Sequence, residues 1–272
     1  MSAARGTRAD GALGTERDAE VEAVLLDVDG TLVDSNHAHA QAWSDALRAT
    51  GREIGPETVL PLVGMGSDKL LPRLTGIDAE SEEGKQLIAR RMEIFTKEYL
   101  PAIKPFGRAR ELVEQLRASG LEVVVATSAN DDELRGLMRV LGTEWLLEDA
   151  TNSSDAERSK PDPDIVRVAV DKTGVGPERC VMIGDTPYDV EAATRAGVRI
   201  IGLRCGGWDD EALRGAVEIY DDPADLLAHS ERSVLSAALR PSRGARGAKE
   251  EARARKGVNE QSRTEESHVD DK

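Results

Sequence analysis

Two aspartates separated by a single residue stand out as groups that could do chemistry. Asp27 and Asp29 follow a short aliphatic run, Val21–Leu26, and precede Gly30 and Thr31. Alternate residues of a strand point to the same side, so the pattern predicts that the two carboxylates lie close together. Such carboxylates repel each other unless a cation separates them, and their oxygens are ligands that suit Mg²⁺. An acidic turn after an edge strand is the alternative, and the aliphatic run argues against it.

The segments that must position this pair alternate between strands and helices. Aliphatic runs predict four buried strands, at Val21–Leu26, Leu121–Ala126, Cys180–Ile183 and Val198–Leu203. Helical patterns lie at Arg108–Ser119, Asp131–Leu141, Pro163–Lys172 and Asp189–Ala196. Strands alternating with helices of this length predict an α/β fold with a doubly wound parallel sheet.

One stretch, residues 36–104, carries helical patterns without an aliphatic strand run. The patterns cover His37–Ala49, Ser67–Leu74 and Glu82–Leu100, with Gly and Pro residues between them. We interpret the stretch as an α-helical cap domain inserted into a core of residues 21–35 and 105–230. Ligands of open α/β sheets bind at the carboxyl edge of the strands, and we expect the cap to cover that edge.

The segment Asp27–Leu32 resembles the first motif of the haloacid dehalogenase superfamily, Asp-x-Asp-Gly-Thr followed by Leu or Val. The resemblance implies a Rossmann-like core with a helical cap, as in the phosphoglycolate-phosphatase-like and β-phosphoglucomutase-like members. It implies that Asp27 is the nucleophile that accepts a phosphoryl group, and that Asp29 is the general acid and base. Dehalogenases of the family lack the second aspartate, so Asp29 favours phosphoryl transfer.

Two further motifs of the family follow along the chain. Thr127 and Ser128 come directly after the second predicted strand, and the resemblance implies that they hold phosphate oxygens. Lys160, within Ser159–Pro163, matches the family's Lys-Pro motif. It would neutralise the carboxylates and the transferred phosphate. An ordinary turn and a solvated lysine are the alternatives when each motif is taken alone.

Asp185 and Asp189 match the fourth motif, Gly-Asp-x-x-x-Asp, directly after the third predicted strand. The resemblance implies that Asp185 joins Asp27 and Asp29 in binding Mg²⁺. Asp189 would act behind the metal ligands or pair with Lys160. An N-cap of the following helix is the alternative role for Asp189.

The composition limits the partners and the compartment. A net charge of −15 over 272 residues disfavours nucleic acid and anionic membranes as partners. No run approaches the roughly 18 apolar residues of a membrane span, and two cysteines are too few for a disulfide framework. We therefore expect a cytoplasmic protein that acts on a small phosphorylated metabolite. Residues 1–20 and 240–272 carry no apolar stretch and are predicted to be disordered.

Two alternative functions stay open. A β-phosphoglucomutase-like enzyme would return the phosphoryl group to a sugar, and a non-catalytic relative would use the fold as a binding module. Lys69 in the cap could meet a distal anionic group, and His37 and His39 could line the cap entrance, although surface or packing roles are the alternatives for all three. The sequence identifies neither the phosphate ester nor the oligomeric state.

Overall fold

The computed structural model describes residues 20–239, which contain a five-stranded parallel sheet in the order β2-β1-β3-β4-β5. Its strands are β1 (Ala23–Leu26), β2 (Glu122–Val125), β3 (Cys180–Gly184), β4 (Arg199–Leu203) and β5 (Glu218–Tyr220). The predicted α/β fold with a parallel sheet is confirmed. The segments predicted to be disordered, 1–20 and 240–272, lie outside the described residues except for Glu20.

The central strands of the sheet are aliphatic because helices cover both faces. Val24 and Leu26 of β1 pack in one apolar cluster, with the helices α5 (Ala109–Ala118) and α6 (Asp131–Leu141). Ala23 and Leu25 pack in a second cluster, with α7 (Asp164–Thr173) and α8 (Pro187–Ala196). All four side chains are fully buried. The other helices of these layers are α9 (Pro223–Ala228) and α10 (Ser236–Leu239).

The strand order reverses direction at β1, whose neighbours are β2 on one side and β3 on the other. The register pairs Leu26 with Val125 and with Ile183, so the three strands end at the same level. Crevices in doubly wound sheets form at such a reversal, outside the carboxyl ends of the strands. The loops after β1, β2 and β3 therefore meet at one place.

The stretch between β1 and α5 is helical and has its own apolar cluster. Its helices are α1 (Asn36–Arg48), α2 (Pro56–Val59), α3 (Ser67–Thr75) and α4 (Glu82–Ile94). Trp43, Leu71 and Leu87 are the main buried side chains of that cluster. The helix predicted at Glu82–Leu100 is shorter in the structure, because the regular helix ends at Ile94. The chain continues through a π-helical turn, Phe95–Tyr99, and a 3-10 turn, Leu100–Ala102.

The remaining differences from the sequence prediction are at element ends and in four short elements that were not predicted, α2, α9, α10 and β5. Strand β1 begins at Ala23, two residues later than predicted, and β4 begins at Arg199, one residue later than predicted. Strand β5 was not predicted, since its three residues are half-buried and carry Glu218 and Tyr220 instead of an aliphatic run. Further 3-10 turns lie at Leu60–Leu62, Glu144–Asp149, Pro177–Arg179, Arg204–Gly206 and Ser230–Arg232. None of the helices within residues 20–239 is both long and apolar enough to cross a membrane.

Candidate active site

The loops after three strands bring the predicted site residues together. Asp27 follows β1 directly, and its backbone N–H donates to the carbonyl of Ile183 at 3.0 Å. Ala126, which follows β2, donates to the carbonyl of Leu26 at 2.8 Å. These bonds extend the sheet by one residue past its strands. As a result, Asp27 stands between the loop that carries Thr127 and the loop after β3.

Lys160 forms two ion pairs beneath the end of β1. Its Nζ lies 2.6 Å from Asp27 Oδ1 and 2.7 Å from Asp189 Oδ1, and all three side chains are buried. Burial disfavours the ammonium, but the carboxylates of Asp189 and Asp27 outweigh it and raise the Lys160 pKa. The pKa of Asp27 rises from 3.8 to about 7, mainly through burial and against the effect of Lys160. Lys160 is therefore charged, and it only partly compensates the charge of Asp27.

Asp189 is fixed by the start of α8. Its Oδ2 accepts from the backbone N–H of Thr186 at 3.0 Å, and the Thr186 hydroxyl accepts from the Asp189 N–H at 3.2 Å. This reciprocal capping box places Asp189 at the third helical position, with Thr186 as the N-cap. The structure thus places Asp189 beside Lys160, and the N-cap of α8 is Thr186 instead of Asp189.

Asp185 is buried beside Asp27 and has only neutral donors among the described residues. Thr31 Oγ1 donates to its Oδ1 at 2.6 Å, and Asn36 Nδ2 donates to its Oδ2 at 3.0 Å. Burial, with the nearby charges of Asp27 and Asp189, raises the pKa of Asp185 well above its usual value. Gly30 has a φ of +74°, and a side chain there would collide with Asp185 and Asn36. Glycine therefore permits this close approach.

The carboxylates of Asp27, Asp185 and Asp189 fit a divalent cation. Oxygens of the three side chains lie within 4.8 Å of one another. Lys160 contributes one positive charge to this group and contacts Asp27 and Asp189, but no contact pairs it with Asp185. Buried carboxylates whose negative charge exceeds the positive charge beside them favour a hard cation with oxygen ligands. The Asp27–Asp185 side of the group is the part where such a cation fits.

The side chain of Asp29 is not part of that group. Its Oδ1 accepts from Ser35 Oγ at 2.5 Å and contacts His39 Nε2 at 2.6 Å. Burial opposes ionisation of Asp29, but His39 and Ser35 outweigh it, and the pKa falls below its usual value. His39 in turn contacts Arg91, which forms a buried ion pair with Glu133. Asp29 therefore belongs to a network that reaches into the helical stretch between β1 and α5.

A cavity joins Asp27 and Asp29 to the loop after β2 and to the helical stretch between β1 and α5. Thr127 Oγ1 accepts from the backbone N–H of Ala129 at 3.1 Å. The Ser128 hydroxyl is buried and forms no hydrogen bond with the described residues. The cavity is lined by Asp27, Asp29, Thr127, Ser128, Ala129 and Glu133, and from the helical stretch by His39, Trp43, Val63, Gly64, Met65, Ser67, Leu70 and Arg91.

A contact between α3 and the loop that carries Lys160 was not predicted. Lys69 Nζ donates to the carbonyl of Ser159 at 2.6 Å and pairs with Asp162. Ser159 Oγ accepts from the backbone N–H of Gly66 at 3.1 Å. The Lys69 ammonium is thus engaged by the core, whereas the sequence left it open to a distal group of the substrate. Because Ser159 directly precedes Lys160, this contact couples the position of α3 to the position of the Lys160 side chain.

Sequence reasoning missed Ser35, Arg91 and Glu133, and it considered His39 only at the cap entrance. Arg91 had a detectable signal, because it continues the buried stripe of α4 at four residues from Leu87 and from Phe95. A charged residue in an apolar stripe indicates a buried partner. The partner itself, on α6, had no signal in the sequence.

The comparisons with known proteins agree with this geometry. A family model described as haloacid dehalogenase-like hydrolase matches residues 21–197. A phosphoglycolate phosphatase from Rhodospirillum rubrum is 29% identical over 218 residues, which cover 75% of this chain and 89% of the relative.

Two solved structures are similar in fold and in sequence. A hydrolase from Pseudomonas syringae has a TM-score of 0.71 and 30% identity, covering 76% of this chain and 97% of the other. A putative beta-phosphoglucomutase from Bacteroides vulgatus has a TM-score of 0.67 and 25% identity, covering 82% of this chain and 92% of the other.

Proposed function

The chain belongs to the haloacid dehalogenase-like hydrolase family, and on that basis we propose that it is a Mg²⁺-dependent phosphatase of small phosphate monoesters. The reaction would proceed through an aspartyl-phosphate on Asp27. The observation that carries the proposal is the position of Asp27, which contacts the ammonium of Lys160, lies close to Asp185 in a group that fits a cation, and lines the cavity. A nucleophile for an anionic substrate needs such compensation of charge.

In the first half of the reaction, a carboxylate oxygen of Asp27 attacks the phosphorus atom. The bond between phosphorus and the ester oxygen breaks, and Asp29 gives that oxygen its proton. The phosphate charge of a bound substrate favours protonation of Asp29, since like charge raises the pKa of a carboxyl group. Lys160 and the hydroxyls of Thr127 and Ser128 would hold the other phosphate oxygens.

In the second half, water attacks the phosphorus atom of the aspartyl-phosphate. Asp29 accepts a proton from that water, the bond between phosphorus and Asp27 breaks, and inorganic phosphate leaves. The ionised state that Ser35 and His39 favour for Asp29 suits this step. General acid and base help of this kind contributes roughly 10²–10⁴ in rate.

Asp27 and Asp185 would hold Mg²⁺. When bound, the ion would supply Lewis-acid polarisation of the phosphate and compensate the negative charge of the site. The sequence also assigned the Asp29 carboxylate to the metal, but its Oδ1 is taken by Ser35 and His39, and the proposal reserves it for proton transfer. Asp189 would hold Lys160 in position through the ion pair between them.

The substrate would be a small molecule rather than a polymer. The cavity is covered by α1, α3 and α4 of the helical stretch and combines polar groups with the apolar side chains of Trp43, Met65 and Leu70. A covered, mixed cavity suits a short phosphorylated metabolite. We also propose the boundaries of core and cap as assigned from the sequence, with the cap spanning residues 36–104.

A mutase is the second candidate, because one similar structure is a putative beta-phosphoglucomutase. That enzyme class would use the same Asp27 and Lys160 but transfer the phosphoryl group back to a sugar. A non-catalytic binding module is less favoured, since binding alone does not need a group of three buried carboxylates of which a lysine pairs with only two.

The test is phosphate release from a panel of monoesters, with and without Mg²⁺, by the wild type and Asp27→Asn. The panel contains phosphoglycolate, sugar phosphates, nucleoside monophosphates and 4-nitrophenyl phosphate. The proposal expects Mg²⁺-dependent release that the variant loses while it stays folded. Conversion of β-glucose 1-phosphate to glucose 6-phosphate with little free phosphate would favour the mutase. A folded wild type that releases no phosphate from any ester would overturn the proposal.

A further inference from the structure

A chain of buried polar side chains runs from the core into the cap and back to Asp29. Glu133 on α6 pairs with Arg91 on α4, and Arg91 contacts His39 Nδ1 on α1. His39 Nε2 lies 2.6 Å from Asp29 Oδ1. Glu133, Arg91 and His39 are each at most 6% exposed. Buried polar networks of this kind fix the orientation of every member that is satisfied.

The contact with Arg91 decides which nitrogen of His39 carries the proton. A guanidinium group can only donate hydrogen bonds, so Nδ1 must accept and cannot carry a hydrogen. The proton of the neutral ring is then on Nε2, which donates to Asp29. The ring itself is stacked on Phe95, with centroids 4.0 Å apart and planes 9° apart. His39 is thus fixed in both tautomer and orientation.

Arg91 lies against two aromatic rings. Its guanidinium carbon lies 5.5 Å from the ring centre of Trp43 and 5.3 Å from that of Phe95. Glu133, its partner, also accepts from Asn130 Nδ2 at 3.0 Å. A buried ion pair is weak evidence for stability, because an apolar pair of similar volume is often at least as stable. Stability alone therefore does not explain the ion pair of Arg91 and Glu133, whereas a functional role would.

The hydrogen bonds on Asp29 divide its two oxygens. Ser35 and His39 both contact Oδ1, whereas none of the described residues contacts Oδ2 by a hydrogen bond. The Asp29 side chain is 14% exposed and lines the cavity. Oδ2 is therefore the oxygen left for the substrate.

We propose that Arg91 is a positioning residue that fixes His39 in its Nε2–H tautomer and thereby presents Asp29 Oδ2 to the leaving-group oxygen. The inference rests on the proposed function, since it gives Asp29 the proton transfer. Arg91 and His39 stand on the helical stretch, and Glu133 stands on the core. Ser35 holds Asp29 Oδ1 from the core, so the part of its positioning that depends on α4 lying against α6 is the contact with His39.

The leaving group of the substrate reports on this role directly. An alkyl phosphate needs its departing oxygen to be protonated, whereas 4-nitrophenyl phosphate has a stable leaving group and needs little general acid. A variant that misplaces Asp29 should therefore lose far more activity on the alkyl ester. A variant that merely weakens the fold should lose activity equally on both.

The experiment compares kcat/KM on an alkyl ester from the panel and on 4-nitrophenyl phosphate. Arg91→Met leaves Glu133 without its partner, so Arg91→Met/Glu133→Leu is measured beside it as an apolar pair. Arg90→Met is the control, since Arg90 is the exposed neighbour on the same helix. We expect the loss on the alkyl ester to exceed the loss on the nitrophenyl ester by at least about tenfold in the Arg91 variants. Equal losses on the two esters would overturn the inference.

A second readout does not depend on activity. Nitrogen-15 NMR of the imidazole rings, with His39→Asn to assign the signal, distinguishes a protonated from an unprotonated Nδ1. Wild type is expected to show His39 protonated on Nε2 alone, and Arg91→Met/Glu133→Leu is expected to lose that preference. A wild-type His39 protonated on Nδ1 would contradict the inference even if phosphatase activity is found. A folded wild type inactive on every ester would remove the proposed function instead.

Discussion

The ammonium of Lys160 lies 2.6 Å from Asp27 Oδ1, in a contact that joins positions 133 residues apart. Only 1% of the lysine side chain is exposed, so solvent contributes little to its charge compensation. Asp189 lies on the other side of the same ammonium at 2.7 Å. One cation is thus shared by two carboxylates, and it only partly compensates the charge of Asp27.

Replacement of Lys160 by methionine should remove most of the activity. We expect kcat/KM to fall by roughly 10²–10³, because the variant loses a preorganised charge at the phosphate. The control is Lys85→Met, which removes a lysine whose side chain is 60% exposed. Activity is compared per folded molecule by circular dichroism, since the change leaves buried carboxylates unpaired. A folded Lys160→Met with wild-type kcat/KM would show that this lysine does not act on the substrate.

Without metal, the protein should lose stability as the pH rises. The pKa of Asp27 is raised from 3.8 to about 7 by burial. A raised pKa in the folded state means that the stabilising contribution is complete below about pH 4 and is lost as the pH rises through about 7. The loss should be on the order of a few kcal/mol. Thermal unfolding in the presence of a chelator, from pH 4 to pH 8, measures it.

Magnesium should reduce that pH dependence, and Asp185→Asn is the matched variant. Saturating Mg²⁺ should raise Tm most at neutral pH, where the carboxylates are ionised, by the linkage of ligand binding to stability. In Asp185→Asn the response to Mg²⁺ should shrink strongly. An equal Mg²⁺ response in both proteins would place the metal elsewhere.

The hydroxyl of Ser128 should matter for the substrate and not for the fold. It is buried and forms no hydrogen bond with the described residues, so Ser128→Ala removes no bond and should not lower Tm. A hydrogen bond to a charged phosphate contributes about 1.5–3 kcal/mol, so kcat/KM should fall by roughly 10- to 100-fold. Ser154→Ala, at an exposed position, is the control. Lower Tm with unchanged kcat/KM would assign Ser128 to packing.

Lys69 should act through the core loop and not through the substrate. Lys69→Met and Asp162→Asn should each lower kcat/KM by about tenfold or less, and the double variant should lose no more than the stronger single change. The reason is that both variants break the same contact beside Lys160. If Lys69 instead meets a second anionic group, its loss would affect only substrates that carry one, and Asp162→Asn would not share the effect.

The order of strands and helices could be predicted because aliphatic runs and Gly-terminated helices mark it locally. The predicted ends of helix α6 are both correct. In the structure, Asn130 accepts from the N–H groups of Asp132 and Glu133, and Gly142 ends the helix in a left-handed conformation. Short elements such as β5 lack that local signal. Whether a short polar run becomes a strand depends on the neighbour with which it pairs.

The candidate site shows the same division. The residues that the motifs named, such as Asp27, Lys160 and Asp185, lie together in the structure. The direction of the Asp29 carboxylate could not be predicted, because β1 ends at Leu26 and strand alternation does not extend to position 29. Its direction is set by Ser35 and His39, whose positions depend on how α1 leaves the loop.

The most direct test of the central claim is chemical trapping of the aspartyl-phosphate. The protein is mixed with its best ester and Mg²⁺, quenched in acid and reduced with borohydride, which converts a phosphorylated aspartate to homoserine. Peptide mass spectrometry then locates the change. We expect homoserine at position 27, dependent on substrate and Mg²⁺ and missing in Asp27→Asn. Phosphate release with an unmodified Asp27, or with the label on another residue, would contradict the assignment of Asp27 as the nucleophile.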